Sequence, residues 1–129
     1  MTILITGASG TVGRYLVRLG DRFPQALRPT GRGQLDITRP ETFDLTGVTG
    51  VINLAAATDV DRCEREPDWA RAHNRDGAEN IARAAHAVGA RLIHVSTTAI
   101  FGGDGACGPF DEEATPHPPN VYALSLIHI

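Results

Sequence analysis

A run of small residues near the start of the chain has the composition and spacing of a phosphate-binding loop. Glycine recurs at every third position, at Gly7, Gly10 and Gly13. Glycine lets the backbone turn tightly and approach a ligand closely, and free N–H groups at a following helix N-terminus bind phosphate oxygens. A small third residue lets that helix pack closely on the preceding strand. The run therefore predicts dinucleotide contacts at Gly7, Ser9, Gly10, Thr11, Val12 and Gly13.

The elements around this loop predict an α/β fold of the Rossmann type. The apolar, β-branched run at residues 2–6 suits a strand buried on both faces, and an amphipathic helix follows as far as Pro24. A polar loop is predicted through Arg62. Further elements are predicted as strands at 26–32, 50–55 and 91–97, a helix at 67–88 and a long loop at 102–120. Alternating strands and helices predict a doubly wound parallel sheet with helices on both faces.

Composition and charge exclude several classes of partner. The chain has 129 residues, 42% of them hydrophobic and 21% charged, which predicts one soluble domain. A net charge of −3 gives no electrostatic reason to bind nucleic acid or an anionic membrane. No apolar run has membrane-spanning length and no signal-peptide pattern begins the chain. We therefore expect a cytoplasmic protein with neither nucleic-acid nor membrane partner.

Cysteine and histidine residues give no sign of a metal site. Cys63 and Cys107 fit no metal or redox spacing, so reduced thiols are expected. His73, His86 and His94 share no ligand spacing, and surface or structural roles are expected for them. The sequence predicts no bound metal.

The motifs together resemble the extended short-chain dehydrogenase/reductase superfamily. Thr6 to Gly13 is similar to its T-G-x-x-G-x-x-G signature, and residues 53–56 are similar to its N-x-A-A segment. Asn74 resembles the structural asparagine of the following helix. Within the superfamily the chain is most similar to the dTDP-4-dehydrorhamnose reductases, over residues 33–38, 51–67, 74–80, 95–97 with Phe101, and 109–125.

The resemblance implies further cofactor contacts and a cofactor preference. The implied contacts are Asp36 and Ile37 on the adenine side, and Leu54, Ala55 and Ala56 along the cofactor. A carboxylate ending the second strand would bind the ribose diol of NAD, but Gly31 stands there, Arg32 follows it and Arg28 is near. Because arginine binds phosphate strongly, we expect NADPH, with Arg32 at its 2′-phosphate and with NADH possible.

The resemblance also implies catalytic groups, and the chain departs from the family there. Tyr122 would donate a proton to the substrate oxygen, and Thr97 would bond the carbonyl. The family keeps a lysine four residues after the tyrosine, and its charge lowers the phenol pKa. Here Leu126 replaces that lysine, and all twelve basic residues are arginine. Thr98 and Ala99 also stand where the reductases tend to keep Asp and Tyr.

The resemblance implies that the intact parent reduces a 4-keto deoxysugar nucleotide with NADPH, and the parent could form a homodimer. Two alternatives stay open, a non-catalytic NADP-binding regulatory subunit and a nucleotide-sugar epimerase. We expect residues 1–125 to be a partial nucleotide-binding domain, incomplete at the C-terminal edge of its sheet. Residues 126–129 are expected to be a non-native tail, with the C-terminal substrate domain absent. Such a chain should lack reductase activity, and its open sheet edge should favour association.

Overall fold

The structure is a computed structural model that describes residues 1–127. Its strands are β1 (Thr2–Thr6), β2 (Ala26–Pro29), β3 (Val48–Asn53) and β4 (Arg91–His94). They pair in parallel in the spatial order β2-β1-β3-β4. This sheet confirms the predicted Rossmann-like α/β class. Because all four strands run the same way, their carboxyl ends lie at one edge, where parallel sheets place their ligand sites.

Five α-helices connect or follow these strands in the part of the chain that the structure describes. They are α1 (Thr11–Arg18), α2 (Val60–Arg65), α3 (Pro67–Arg71), α4 (Gly77–Ala87) and α5 (Val121–Leu126). A π-helical turn, Ala72–Asp76, joins α3 to α4. The predicted helix over residues 67–88 is therefore continuous but contains this wider turn. It stops where predicted, because Gly89 has a φ of +70°.

The predicted polar loop through Arg62 ends earlier than predicted, because α2 begins at Val60. Asp59 caps this helix by accepting a hydrogen bond from the Arg62 N–H at 2.9 Å. The Arg62 side chain makes two hydrogen bonds to Glu66, at 3.1 and 3.0 Å. A cap and an i,i+4 ion pair thus stabilise a short helix that has few apolar residues.

The main core lies between one face of the sheet and α4. Leu4 of β1 and Val51 of β3 contact the apolar side of α4, including Ile81 and Ala85. The segment between β2 and β3 closes this core through the buried side chains of Leu35, Ile37 and Leu45, next to Val48 at the start of β3. Fully burying one such side chain contributes about 1.5–3 kcal/mol, so this face holds the site-bearing segments in place.

The opposite face of the sheet is covered only in part. Ile5, Ile52 and Ile93 are paired across β1, β3 and β4, and the side-chain alternation of strands places them on the face opposite Leu4. Ile5 is 0% exposed whereas Ile93 is 61% exposed. Tyr15 of α1 is also 62% exposed. No strand within residues 1–127 covers the outer edge of β4, which agrees with the expected incomplete edge.

The expected non-native tail, residues 126–129, lies partly outside the described residues, which end at 127. Leu126 belongs to α5 and is 5% exposed. Within the described chain no helix is long and apolar enough to cross a membrane.

Candidate functional site

The glycine loop joins β1 to α1 in a conformation that needs glycine at two positions. Gly7 has a φ of +64°, and a Cβ there would lie 2.8 Å from the backbone N of Ala55. A Cβ on Gly13 would lie 2.5 Å from the Gly7 carbonyl oxygen. Any larger residue would therefore strain the turn at Gly7 or overlap backbone at Gly13. The backbone at Gly7 therefore contacts the backbone at Ala55, and the backbone at Gly13 contacts that at Gly7, with no side chain between them.

The first turn of α1 leaves its backbone N–H groups available to a ligand. Its N-cap residue is Gly10, which has no side chain to accept their hydrogen bonds. The N–H of Arg14 closes the first turn by donating to the Gly10 carbonyl oxygen at 2.9 Å. The N–H groups of residues 11–13 donate to no described residue. Free N–H groups and the positive end of the helix dipole bind anions, so this turn is suited to a phosphate.

A cleft of about 620 Å³ opens above this loop at the carboxyl edge of the sheet. The structure places all twelve predicted cofactor contacts along it, namely Gly7, Ser9, Gly10, Thr11, Val12, Gly13, Arg32, Asp36, Ile37, Leu54, Ala55 and Ala56. None of them lines the second groove of the described chain, about 860 Å³ in volume, between residues 40–49 and α4. Residues from separate segments of the chain thus meet in one cleft.

The end of β2 is tied to the glycine loop and brings Arg32 to the cleft. Thr30 donates to the Ile5 carbonyl oxygen through its N–H at 2.8 Å and its hydroxyl at 3.0 Å, and its own carbonyl accepts from the Ala8 N–H at 3.1 Å. Arg32 then lines the cleft with an exposed side chain. Arg28, expected nearby, points elsewhere because it pairs with Asp44 at 3.6 Å. Only Arg32 of these two is placed to meet a ligand phosphate.

Asp36 is held as a carboxylate at the same end of the cleft. Its Oδ1 accepts hydrogen bonds from the N–H and the hydroxyl of Thr38, at 3.0 and 2.8 Å. Burial raises the pKa of Asp36, but the Thr38 hydrogen bonds and the charges of Arg32 and His73 outweigh it, so the pKa lies below its ordinary value. A negative charge therefore stands beside Arg32 at neutral pH.

A row of polar side chains crosses the sheet beneath the cleft. The Thr6 hydroxyl donates to Oδ1 of Asn53, and Nδ2 of Asn53 lies 2.9 Å from Nδ1 of His94. The same hydroxyl accepts the Ala55 N–H at 3.3 Å. Burial lowers the pKa of His94, so its neutral form accepts the Asn53 hydrogen bond. Through the bond from the Ala55 N–H to Thr6, these side chains hold the Leu54–Ala56 segment in its position beside the cleft.

Asn74 links that segment to the helix that carries Tyr122. Oδ1 of Asn74 accepts the Ala57 N–H at 2.7 Å, and Nδ2 donates to the Ala57 carbonyl at 3.0 Å and to Oγ of Ser125 at 2.8 Å. Asn74 is 1% exposed and Ser125 is 2% exposed. Ser125 in turn donates to the Tyr122 carbonyl at 2.7 Å. The family resemblance implies a structural asparagine here, and its amide is satisfied at both ends.

The two candidate catalytic residues differ in their placement. Tyr122 lines the cleft from α5, whose N-terminus is held by the Glu64 carboxylate accepting the Val121 N–H at 2.7 Å. Leu126, one turn further along α5, also lines the cleft. Thr97 does not line it, and its hydroxyl oxygen accepts the Ala99 N–H at 3.2 Å. The cleft thus has a phenol and an apolar side chain, the latter at the position where the resemblance implies a lysine.

Several cleft residues have no counterpart in the sequence predictions. They are Leu35, Thr58, His73, Val95 and Ser96. Four of them follow or precede predicted contacts closely along the chain, so their positions could have been inferred from those neighbours. His73 was expected to be a surface or structural residue, and its place in the cleft depends on tertiary packing. Among residues 1–127 no three His, Cys, Asp or Glu side chains are grouped as metal ligands.

Comparison with known proteins points to one family. A family model described as RmlD substrate binding domain matches residues 1–128. A dTDP-4-dehydrorhamnose reductase of Streptomyces griseus is 42% identical over an alignment of 127 residues, and the match covers 95% of this chain and 41% of that protein. A dTDP-4-dehydrorhamnose reductase structure from Clostridium acetobutylicum has a TM-score of 0.91 at 36% identity, covering 99% of this chain and 47% of that one.

A third relative carries a bound nucleotide. The structure of dTDP-4-dehydrorhamnose reductase from Bacillus anthracis in complex with NADP has a TM-score of 0.87 at 33% identity. The match covers 98% of this chain and 46% of that one. The chain therefore spans less than half of the length of each of these three relatives.

Proposed function

Since this chain belongs to the RmlD substrate binding domain family, we propose that it forms the NADP-binding part of an oxidoreductase that reduces a 4-keto deoxysugar nucleotide. The dTDP-4-dehydrorhamnose reductases among its relatives support the substrate class, and the NADP complex of one of them supports the cofactor. The observation that carries the proposal is the uncapped first turn of α1 beside three glycines in the cleft. The substrate site itself would be completed by residues outside this chain's span.

The residues of the cleft fit the adenosine and pyrophosphate parts of NADPH. The free N–H groups of residues 11–13 would bind the pyrophosphate, which needs the close backbone approach that Gly10 permits. The Arg32 guanidinium would bind the 2′-phosphate, and Asp36 would face the adenine. Residues 54–56 would lie along the nicotinamide half. NADH lacks the 2′-phosphate, so it would bind without the Arg32 contribution.

The catalytic half of the cleft is less complete than the cofactor half. NADPH held in the cleft would be the source of the hydride for the reduction. Tyr122, which lines the cleft, would give its phenol proton to the carbonyl oxygen. Thr97, which the resemblance implies as the group that bonds this oxygen, does not line the cleft. A phenol with a pKa of about 10 needs a nearby positive charge to act at neutral pH, and Leu126 offers none. We therefore propose that this chain alone binds NADPH but does not turn it over.

A second proposed function is an NADP-binding regulatory subunit without catalysis. Leu126 favours it, because an apolar side chain that is 5% exposed stands where the resemblance implies lysine. Both proposals need the same cofactor site. They differ in whether a full-length protein of this family that includes this sequence would oxidise NADPH with a 4-keto sugar nucleotide, which a turnover assay on such a protein decides.

Calorimetric titration of the purified chain with NADPH and with NADH tests the cofactor proposal. We expect NADPH to bind more tightly, and Arg32→Ala to remove most of that preference, about tenfold, because a charge-assisted hydrogen bond to phosphate is lost. Gly13→Ala should weaken both nucleotides, because its Cβ would meet the Gly7 carbonyl oxygen at 2.5 Å.

Gly20→Ala is the matched control for the glycine substitution. A Cβ on Gly20 would meet only the Leu27 side chain, at 3.6 Å, and Gly20 lies outside the cleft. This variant should bind both nucleotides like the unmodified chain. Absence of NADPH binding, or equal binding by the Gly13→Ala and Gly20→Ala variants, contradicts the proposed site.

A further inference from the structure

Three strands of the sheet end in a polar residue that is followed directly by residues of the cleft. Thr6 ends β1, Asn53 ends β3 and His94 ends β4. In the sheet, Thr6 pairs with Asn53 and Asn53 pairs with His94, so the three form one row. The residues that come next in the chain all line the cleft, namely Gly7, Leu54, Ala55, Ala56, Val95 and Ser96. A change anywhere in the row therefore acts on three segments of the cleft at once.

The hydrogen bonds of the row determine the tautomer of His94. The Thr6 hydroxyl donates to Oδ1 of Asn53, so the donor side of the Asn53 amide, Nδ2, is the atom that lies 2.9 Å from Nδ1 of His94. Nδ1 must therefore accept, and the hydrogen of the neutral imidazole is then on Nε2. Nε2 is sealed from solvent, and no residue within 1–127 accepts its hydrogen.

A second proton on His94 is incompatible with this arrangement. The proton would be added to Nδ1, which would then face the Nδ2 donor of Asn53. The amide would have to turn over, and the Thr6 hydroxyl would lose its acceptor. Because Thr6 is 1% exposed, water does not replace that acceptor. The same hydroxyl accepts the Ala55 N–H at 3.3 Å, so the rearrangement would extend to a segment that lines the cleft.

No ion pair within the described chain stabilises a protonated His94. The elements packed most closely against β4 are β3 and α4. The residues of β3 include no titratable side chain. The titratable residues of α4 are exposed, as is the arginine that begins β4; they are Glu79, Arg83, His86 and Arg91. Burial alone lowers the pKa of His94, without a contribution from any charge.

We propose that neutral His94 is a positioning residue for the dinucleotide, and that its protonation rearranges the row and weakens dinucleotide binding. This inference rests on the proposed function, because it requires a dinucleotide in the cleft. Loss of one buried hydrogen bond from the row should weaken binding about fivefold. Because binding and protonation are linked, a nucleotide that prefers the neutral form also lowers the pKa of His94. Affinity is therefore complete above the His94 pKa of the free chain and declines as the pH falls through it.

Long-range proton–nitrogen NMR spectra of the purified chain measure the tautomer of His94 and the pH at which it titrates. Oxidised NADP is the probe, because NADPH decomposes in acid. His94→Asn identifies the His94 signals by their loss. We expect hydrogen on Nε2, and titration at a lower pH with saturating NADP than without it. The reverse tautomer, titration at the same pH in both samples, or no titration down to about pH 5, roughly 1.5 units below the ordinary histidine value, overturns the inference.

Calorimetric titration of variants with NADP separates positioning from a merely structural role. His94→Asn carries an amide oxygen near the place of Nδ1 and takes up no proton. It should bind like the unmodified chain at neutral pH and lose less affinity in acid. His94→Leu has no acceptor for Asn53 and should bind about fivefold more weakly at neutral pH. His86→Asn, at an exposed position of α4, is the matched control and should behave like the unmodified chain at both pH values.

The outcomes distinguish this inference from the proposed function. The 2′-phosphate of NADP itself takes up a proton at about pH 6, but it does so equally with every variant. If NADP binds, and the unmodified and His94→Asn chains lose equal affinity in acid, the role of His94 is wrong and the cofactor site stands. A His94→Leu chain with unchanged affinity has the same meaning. If NADP does not bind the unmodified chain at neutral pH, both proposals are wrong. Trp69 fluorescence confirms that each chain is folded at each pH.

Discussion

Replacing Asn74 with alanine should destabilise the chain more than any other single loss of a polar group in the site. The Asn74 amide makes three hydrogen bonds, and they join the segment after β3, the π-helical turn and α5. Asn74→Ala leaves the Ala57 N–H without its partner in a position that is 2% exposed. It also removes one donor from the Ala57 carbonyl and one from Ser125.

The expected loss of unfolding free energy follows from these contacts. A buried backbone group left unsatisfied costs about 1–3 kcal/mol. The Ala57 N–H carries that cost in full. Its carbonyl keeps a weak contact with the Cys63 thiol at 3.8 Å, and Ser125 keeps its bond to the Tyr122 carbonyl, so these two add less. We expect a total loss of about 3 kcal/mol, a large share of the stability of a typical domain.

Urea unfolding followed by tryptophan fluorescence measures this loss. The chain has one tryptophan, Trp69, which packs against the cluster of Ala57, Cys63 and Ala70 beside the bonds that are removed. Asn80→Ala is the matched control, because that amide makes one hydrogen bond, to the Ile37 carbonyl. It should cost about 1 kcal/mol. The reasoning is refuted if Asn74→Ala costs no more than Asn80→Ala at an unchanged denaturant slope.

Three further predictions concern pH, association and turnover. Because burial lowers the pKa of His94, its contribution to stability is complete above the histidine pKa of the unfolded chain, about 6.5, and is lost as the pH falls through the lower folded value. Urea unfolding from pH 8 to pH 5 (about 1.5 units on either side of that value) should show this decline, and His94→Gln should flatten it. Because Ile93 is 61% exposed on a sheet face that is covered only in part, the chain should associate in sedimentation experiments, and Ile93→Thr should reduce this association. Equal association of the two chains would show that this face is not the surface through which they associate. NADPH absorbance should stay constant when the chain is mixed with a 4-keto sugar nucleotide, and a steady decrease would show that Leu126 does not prevent catalysis.

The glycine loop and its neighbouring strands could be predicted because their signals are local. The strand before Gly7 and the helix after Gly13 are adjacent in sequence, and a parallel sheet allows few arrangements of such units. The end of α4 before Gly89 is also signalled locally, since Gly89 has a φ of +70°, a value that favours glycine. Residues 54–56 reach the cleft because parallel strands end at one edge of the sheet.

Other parts of the site depend on contacts between distant residues, which the sequence pattern does not reveal. His73 meets the cleft because Gly77 allows the helix to pack on Ile37, forty residues earlier in the chain. Arg28 turns away from the cleft because Asp44 lies beside it in the fold. The π-helical turn at Asn74 coincides with the hydrogen bonds to Ala57. In each case tertiary packing overrides what local spacing indicates.

Backbone amide chemical shifts during an NADPH titration report most directly on whether α1 binds the cofactor. The N–H groups of residues 11–13 donate to no described residue, so a bound pyrophosphate would give them new hydrogen bonds. We predict that these amides show the largest shifts, with smaller ones at residues 54–56 and at Arg32. Shifts confined to the groove between residues 40–49 and α4, or no shifts at residues 11–13, would contradict a dinucleotide site at the glycine loop.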